Sequence, residues 1–292
     1  MLSFVLLAQV VSGGLVMGGL YAMVAMGLSL IYGVTRLLNF AHGTFVALAG
    51  ILGSILFSSL GIHPAWSIPL AAATFFAFGF GFYNLLLKSV MKHDHFKMTI
   101  GTVLITIGAF MVIEDLASAA AGPVQRNILL PSTTIAATGG IVTTIQLYVL
   151  LGITAVTVAL HAFLKHSWFG RAIRALTQDQ FAATAYGVPS ELIRGATFAV
   201  GTAMAGVSGV LYAMTLPVDL HTGFILTVKA FTVIAIGGIG NLTGTLVASI
   251  LLGVTEALVA FYVSSEWAPA VSIVVLLAVL VLAPRTDFIT HR

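Results

Sequence analysis

Apolar runs of roughly bilayer length recur along most of this chain, and each is closed by a short polar or glycine-rich break. A hydrocarbon core about 30 Å thick needs ~20 apolar residues per helix. Runs and breakers together predict helices over about 4–33, 40–60, 66–87, 98–119, 142–164, 192–214, 242–262 and 268–284. A shorter apolar run, Val228 to Ile236, is left over as a half-helix or a compressed span, so the expected count is eight or nine. The fold class expected is all-α: a polytopic membrane bundle with short broken or re-entrant helices. Met1-Leu2-Ser3-Phe4 leads straight into apolar sequence without a basic leader, so the first run is expected to be a retained helix.

Small residues crowd several runs, as in Gly13-Gly14, Gly18-Gly19, Gly201 to Gly209 and Gly237-Gly238. Lipid offers no hydrophobic force between helices, so close backbone approach across small faces is what packs a bundle. Most of these glycines are read as packing positions, and a minority as breaks.

Composition agrees with the pattern. Of 292 residues, 59% are hydrophobic and 7% charged, with a mean hydropathy of +1.11, against roughly 25% charged in soluble domains. One transmembrane domain over residues 1–292 is expected. The 12 Lys and Arg against 9 Asp and Glu leave a charge of +3, which basic cytoplasmic loops explain without nucleic acid. Lys88 to Lys97 holds three Lys, and Lys165 to Arg194 holds Lys165, Arg171, Arg174 and Arg194; both segments read as cytoplasmic. Arg285 and Arg292 place the tail inside, while Gly122 to Gly140, with Arg126 as its only charge, reads as outside. An outside N-terminus and an inside C-terminus require an odd number of crossings, hence nine. With no cysteine, disulfides, thiolate metal sites and cysteine nucleophiles are excluded.

Two polar breaks exceed what packing demands: Arg36 to Gly43 and Gly237 to Gly244. Unwound backbone is tolerated in a membrane only where protein or a water-filled cavity satisfies it. Asn39, His42, Gly43, Gly237, Gly238, Gly240, Asn241 and Gly244 are therefore candidates for the translocation pathway or for broken-helix turns. The stretches from Asn39 and from Asn241 also look like a degenerate internal repeat, a pattern that points to transport. Asn39 and Asn241 are read as organising their turns, and His42 as binding exposed backbone rather than substrate.

A third interruption, about 165–191, contains good helix formers from Asp179 to Tyr186, stopped by Gly187 and Pro189. It predicts a short, exposed cytoplasmic helix able to dock a soluble partner. Arg36 and Lys229 are placed at helix ends, with their long side chains snorkelling to the interface. Glu256 lies inside an apolar run and is expected to make an interhelical hydrogen bond as a protonated acid. Glu114 and Asp115 are assigned to the outer interface, and His93-Asp-His95 is read as solvated rather than metal-binding. Trp66 and Trp267 suit outer-belt anchors and Trp168 an inner one.

Asn39-Phe-Ala-His-Gly43, Gly170-Arg-Ala-Ile-Arg-Ala with Ala182-Ala-Thr-Ala-Tyr-Gly-Val188, and Lys229 through Asn241 with Gly244 occur in order and at appropriate separations. In these segments the chain resembles the permeases of branched-chain amino-acid ABC importers, of the LivH type, nearly end to end. The resemblance implies a type II ABC-importer-like fold. It also implies a second homologous permease of LivM type, two cytoplasmic ABC ATPases and an extracytoplasmic solute-binding protein. It assigns Arg171, Arg174, Asp179, Ala182, Ala183 and Gly187 to ATPase coupling. Urea and short-amide permeases share the same plan.

No Gly-x-x-x-x-Gly-Lys-[Ser/Thr] loop is present, so ATP and Mg are expected in the partner ATPases and no cofactor on this chain. A stand-alone secondary transporter or channel would need coupling acids near the midplane, where Glu256 is the one serious candidate. An intramembrane enzyme would need a nucleophile with a base, or paired acids, and no such arrangement is visible.

Overall fold

The computed structural model describes residues 2–122, 124–135 and 141–282; the expectations for Arg285 and Arg292 fall outside them. The path runs α1 (Leu2–Thr35), α2 (His42–Leu60), α3 (Pro64–Phe82), a π turn (Tyr83–Leu87), a 3-10 turn (Val90–Lys92), α4 (His95–Ala121) and α5 (Thr144–His166). It continues through α6 (Trp168–Gln178), α7 (Gln180–Ala185), α8 (Ser190–Ala213), α9 (Leu220–Gly237), α10 (Leu242–Tyr262) and α11 (Ala268–Leu282). Among the described residues eight helices are long and apolar enough to cross a membrane, and α11 is a shorter apolar helix. The fold is an all-α polytopic bundle.

The leftover run at Val228 is the second half of α9, an 18-residue helix. The polar residues Asp219, His221 and Thr222 at its start and Lys229 at its middle break the apolar run, although the whole helix has a mean hydropathy of 1.6, enough for a span. Asp219 caps the helix: its Oδ1 accepts from the Thr222 amide at 2.8 Å and from the Thr222 hydroxyl at 2.7 Å. Burial pushes the Asp219 carboxyl up, but hydrogen bonds from Thr222 and Gln125 outweigh it and hold the group below its ordinary value.

α1 is the central post, buried against α10, α8 and α9, while α2 and α3 close on α8. Close approach through small residues builds the main seam. A Cβ on Gly18 would stand 2.7 Å from the Ile250 Cα, and one on Gly14 would stand 2.8 Å from the Val254 Cα. Without a hydrophobic force in lipid, this contact density is what holds α1 to α10. Rings fill the α2, α3 and α8 junction, where Phe82 stacks on Phe198 with centroids 5.8 Å apart and Phe45 meets Phe82 edge-on at 5.5 Å. Leu104, Leu116, Leu151 and Val158 leave α4 and α5 with exposed apolar faces suited to lipid or to another chain.

Candidate functional site

The first break is re-entrant. After Thr35 the chain turns through Arg36, whose φ of 57° is left-handed, and runs non-helically to His42. The ring of His42 donates from Nε2 to the Val24 carbonyl at 3.1 Å, and Val24 lies about 16 Å back along α1 from Thr35 at 1.5 Å per residue. α2 therefore starts deep inside the bundle, where Gly43 N–H donates to Thr227 Oγ1 of α9 at 2.9 Å. Gly43 also lies so close to the Gly223 carbonyl that any side chain would collide with it. Asn39 Oδ1 accepts from the Ala41 amide at 3.1 Å, which organises the turn. Asn39 Nδ2, His42 Nδ1 and Thr44 Oγ1 are buried with no partner among the described residues.

The second break is a plain tight hairpin. Gly238 and Gly240 adopt φ of 87° and 74°, which only glycine takes without strain. Asn241 caps α10 through Oδ1, accepting from Gly244 N–H at 3.0 Å, and Gly240 N–H donates to Ser29 Oγ of α1 at 3.0 Å. Gly237 and Gly244 touch backbone to backbone where the two helices part. The likeness between the two stretches thus does not extend to their geometry: the first runs from exposed Arg36 to a turn at Asn39–Gly43 buried inside the bundle, while the second lies exposed at the end of it.

The third segment holds two helices where one is expected. Asp179 ends α6 and caps α7, its Oδ1 accepting from Ala182 N–H at 3.0 Å. Ala183 is buried against the bundle, Ala182 is half-buried, and Gly187 has a φ of 86° with open space around it. Two aromatics missing from the sequence-level candidates are the most exposed features here: Phe181 is 85% and Tyr186 90% accessible. Arg171 and Arg174, although exposed, fold back onto the end of α5. Arg174 Nη1 donates to the Leu164 carbonyl at 2.7 Å and Arg171 Nη1 to the His166 carbonyl at 3.2 Å. Both guanidinia serve the open carbonyls and negative dipole end of α5. Gly170 packs so closely on the Leu164 carbonyl that no side chain fits, so α5 and α6 form one tied corner.

Against this corner lies a cavity of about 650 Å³ between the ends of α1 and α5, the face of α6 and the start of α10. Arg36, Lys165, Arg174, His161, Gly240 and Asn241 are among its lining, and no Asp or Glu is.

The bundle interior holds the opposite arrangement. Lys229 sits mid-way along α9 rather than at a helix end, and it does not snorkel; the expectation fails because the lysine has a buried anion. Its Nζ lies 2.6 Å from Glu256 Oε2 and donates to Tyr21 Oη at 2.7 Å, 4.4 Å above that ring's centroid. Tyr21 Oη donates to Glu256 Oε2 at 2.8 Å, and Ser272 Oγ donates to Glu256 Oε1. The interhelical hydrogen bond expected of Glu256 is present, but a lysine faces the acid where a proton was expected. All four residues are buried, and they come from α1, α9, α10 and α11. Glu114 pairs with His221 at 3.0 Å. Among the described residues no group of three His, Cys, Asp or Glu could hold a metal ion.

Residues 10–283 match the family described as the branched-chain amino acid transport system / permease component. The chain is 29% identical to the high-affinity branched-chain amino acid transport system permease protein LivH of Salmonella typhimurium, over 96% of this chain and 95% of that one. Identity to LivH of Escherichia coli K12 is also 29%, with the same coverage. BraD of Pseudomonas aeruginosa is 28% identical over 94% of each chain. In fold the chain is similar to PsaBC from Streptococcus pneumoniae, solved in complex with Fab, with a TM-score of 0.51 at 13% identity over 94% of this chain and 92% of that one. The chain belongs to the branched-chain amino acid transport system permease family, and is a multi-pass membrane permease subunit of an ABC transport system.

Proposed function

We propose that this permease moves branched-chain or related amino acids inward and forms half of the translocation pathway. A LivM-type second permease supplies the other half, two cytoplasmic ABC ATPases bind the ATP and Mg, and an extracytoplasmic binding protein delivers the solute. The observation that carries this reading is the family match over residues 10–283, joined by near full-length relatives whose names specify branched-chain amino acids. The chain crosses nine times, α11 included, with its N-terminus outside and its C-terminus in the cytoplasm; the basic segments 88–97 and 165–194 support that orientation.

Coupling runs through the tied corner. ATP binding closes the ATPase dimer and displaces α7, which docks through Phe181 and Tyr186. Asp179 joins α7 to α6, and Arg171, Arg174 and Gly170 lock α6 onto the end of α5. A push on α7 is thereby transmitted to α5 and to the walls of the cavity beside it. Alternating access needs such a rigid relay between two packed arrangements rather than a soft linker.

The experiment is uptake of labelled leucine into proteoliposomes holding this chain with its co-expressed partners and binding protein, with ATP inside or outside. ATP-dependent accumulation is expected. Leucine accumulation without any ATPase subunit contradicts the reading, and ATP-driven uptake of urea but not leucine moves the substrate to the amide relatives.

A further inference from the structure

The cavity beside the α5 and α6 corner is walled by like charges. Arg36, Lys165 and Arg174 line it, no acidic side chain does, and neither Arg36 nor Lys165 makes an ion pair among the described residues. Arg174 donates one guanidinium nitrogen to the Leu164 carbonyl at the end of α5 and makes no ion pair among the described residues. Asn241 and the first turn of α10 bring the positive end of a 21-residue helix to the same space. Cytoplasmic lysines and arginines of membrane proteins ordinarily spread toward lipid headgroups. Here three of them border one concave volume of about 650 Å³, inside the ~300–1,000 Å³ range of small-molecule sites. Arg36 is moreover held in a left-handed conformation, the only non-glycine residue so placed among those described, although glycine would take that position without strain.

The geometry points to a carboxylate-binding exit site: the vestibule receives the carboxylate of the solute as it leaves the pathway, through Arg36 and Lys165 with Arg174 behind them. This deepens the import reading and rests on it, and it assigns the chain to solutes with a free carboxylate rather than to neutral amides such as urea. An anion entering the cavity meets three exposed cations gathered around one concave volume, so their attractions act together. Arg174 belongs to α6, the helix joined to the docking helix. Movement of α6 therefore changes the field at the site and releases the anion once the cycle advances.

An anionic lipid headgroup offers the same chemistry, and vesicle composition separates the two. The whole complex with its binding protein is reconstituted in phosphatidylcholine alone and in phosphatidylcholine with phosphatidylglycerol. Leucine uptake per ATP hydrolysed is compared for the native chain, Arg36→Gln with Lys165→Gln, and Arg36→Lys with Lys165→Arg. The expected result is a fall of roughly tenfold or more in that ratio for the neutral variant, in both lipids, as loss of charge-assisted hydrogen bonds predicts, with recovery in the charge-keeping variant. An unchanged ratio overturns the inference, and so does a fall confined to vesicles with phosphatidylglycerol, which assigns the cations to lipid. If the double variant does not assemble, Lys165→Gln alone, at an exposed position, reads the same signs. A native complex that shows no ATP-driven leucine uptake overturns the import reading itself, which is a separate result.

Discussion

Two clusters of charge lie within this bundle, and they are built on opposite principles. At the junction of α1, α9, α10 and α11, Lys229 and Glu256 are 2.6 Å apart, and Tyr21 and Ser272 supply further bonds to the carboxylate. None of these four residues lines the 650 Å³ cavity beside α5 and α6. At the end of α5, Arg36, Lys165 and Arg174 have no acidic partner among the described residues and border open volume. A charge in the membrane is costly unless it is paired. The paired cluster answers to the architecture, because its partners are all internal. The open one has no internal acidic partner among the described residues, and under the proposal above its anion is the solute.

The largest effect expected is on the paired cluster. Lys229→Met or Glu256→Leu alone leaves an uncompensated buried charge, a loss of about 3–5 kcal/mol, read as collapse of folded yield and of thermal stability in detergent. Lys229→Met combined with Glu256→Gln removes both charges while an amide oxygen still accepts from Tyr21 or Ser272, and it is expected to recover most of that stability. If the double variant is as unstable as the singles, the cluster is not a mutual pair. Next in size is the corner that frames the open cluster. Gly170→Ala drives a methyl into the Leu164 carbonyl and is expected to cost about 1–3 kcal/mol, seen as a lower melting temperature.

Asp219, at the N-terminal end of α9, gives a smaller and pH-dependent effect. Its carboxyl is held below its ordinary value in the folded chain, so its stabilisation is fully present above the unfolded value and is lost as pH falls through the folded one. Asp219→Ala is expected to cost about 1 kcal/mol at neutral pH, and the difference from the native chain should shrink in acid. A difference that grows in acid contradicts the assignment. The smallest stability effect belongs to the proposed docking surface: Phe181→Ala with Tyr186→Ala should leave melting within about 0.5 kcal/mol while the ATPase subunits no longer co-purify. Retention of those subunits at native yield places the contact elsewhere.

Much of the fold is legible in the sequence because it is written locally. The run expected at 242–262 is α10 as observed (Leu242–Tyr262), and both polar breaks fall where helices end. Other features depend on partners remote in sequence. Lys229 looks like a helix end until Tyr21, 208 residues away, and Glu256 are brought to it. The same lysine interrupts the apolar run of α9, whose mean hydropathy of 1.6 over the whole helix still suits a span. Arg171 and Arg174 are assigned to ATPase coupling by the resemblance, and only the fold of α6 against α5 reveals the carbonyls they bind. Phe181 and Tyr186 stand out only once their exposure is known, since an aromatic in an apolar chain ordinarily signals core or lipid. The two breaks look alike as strings, but only the first begins its helix beside Val24 and Thr227, a depth set by the packing of three helices.

The most direct measurement is leucine uptake per assembled complex for two variants side by side, Lys229→Met with Glu256→Gln and Arg36→Gln with Lys165→Gln. Near-native uptake from the first and a loss of roughly tenfold or more from the second is the expected result. The reverse ordering, with transport lost when the buried pair is neutralised and kept when the vestibule is, would contradict the division between structural and functional charge in this permease.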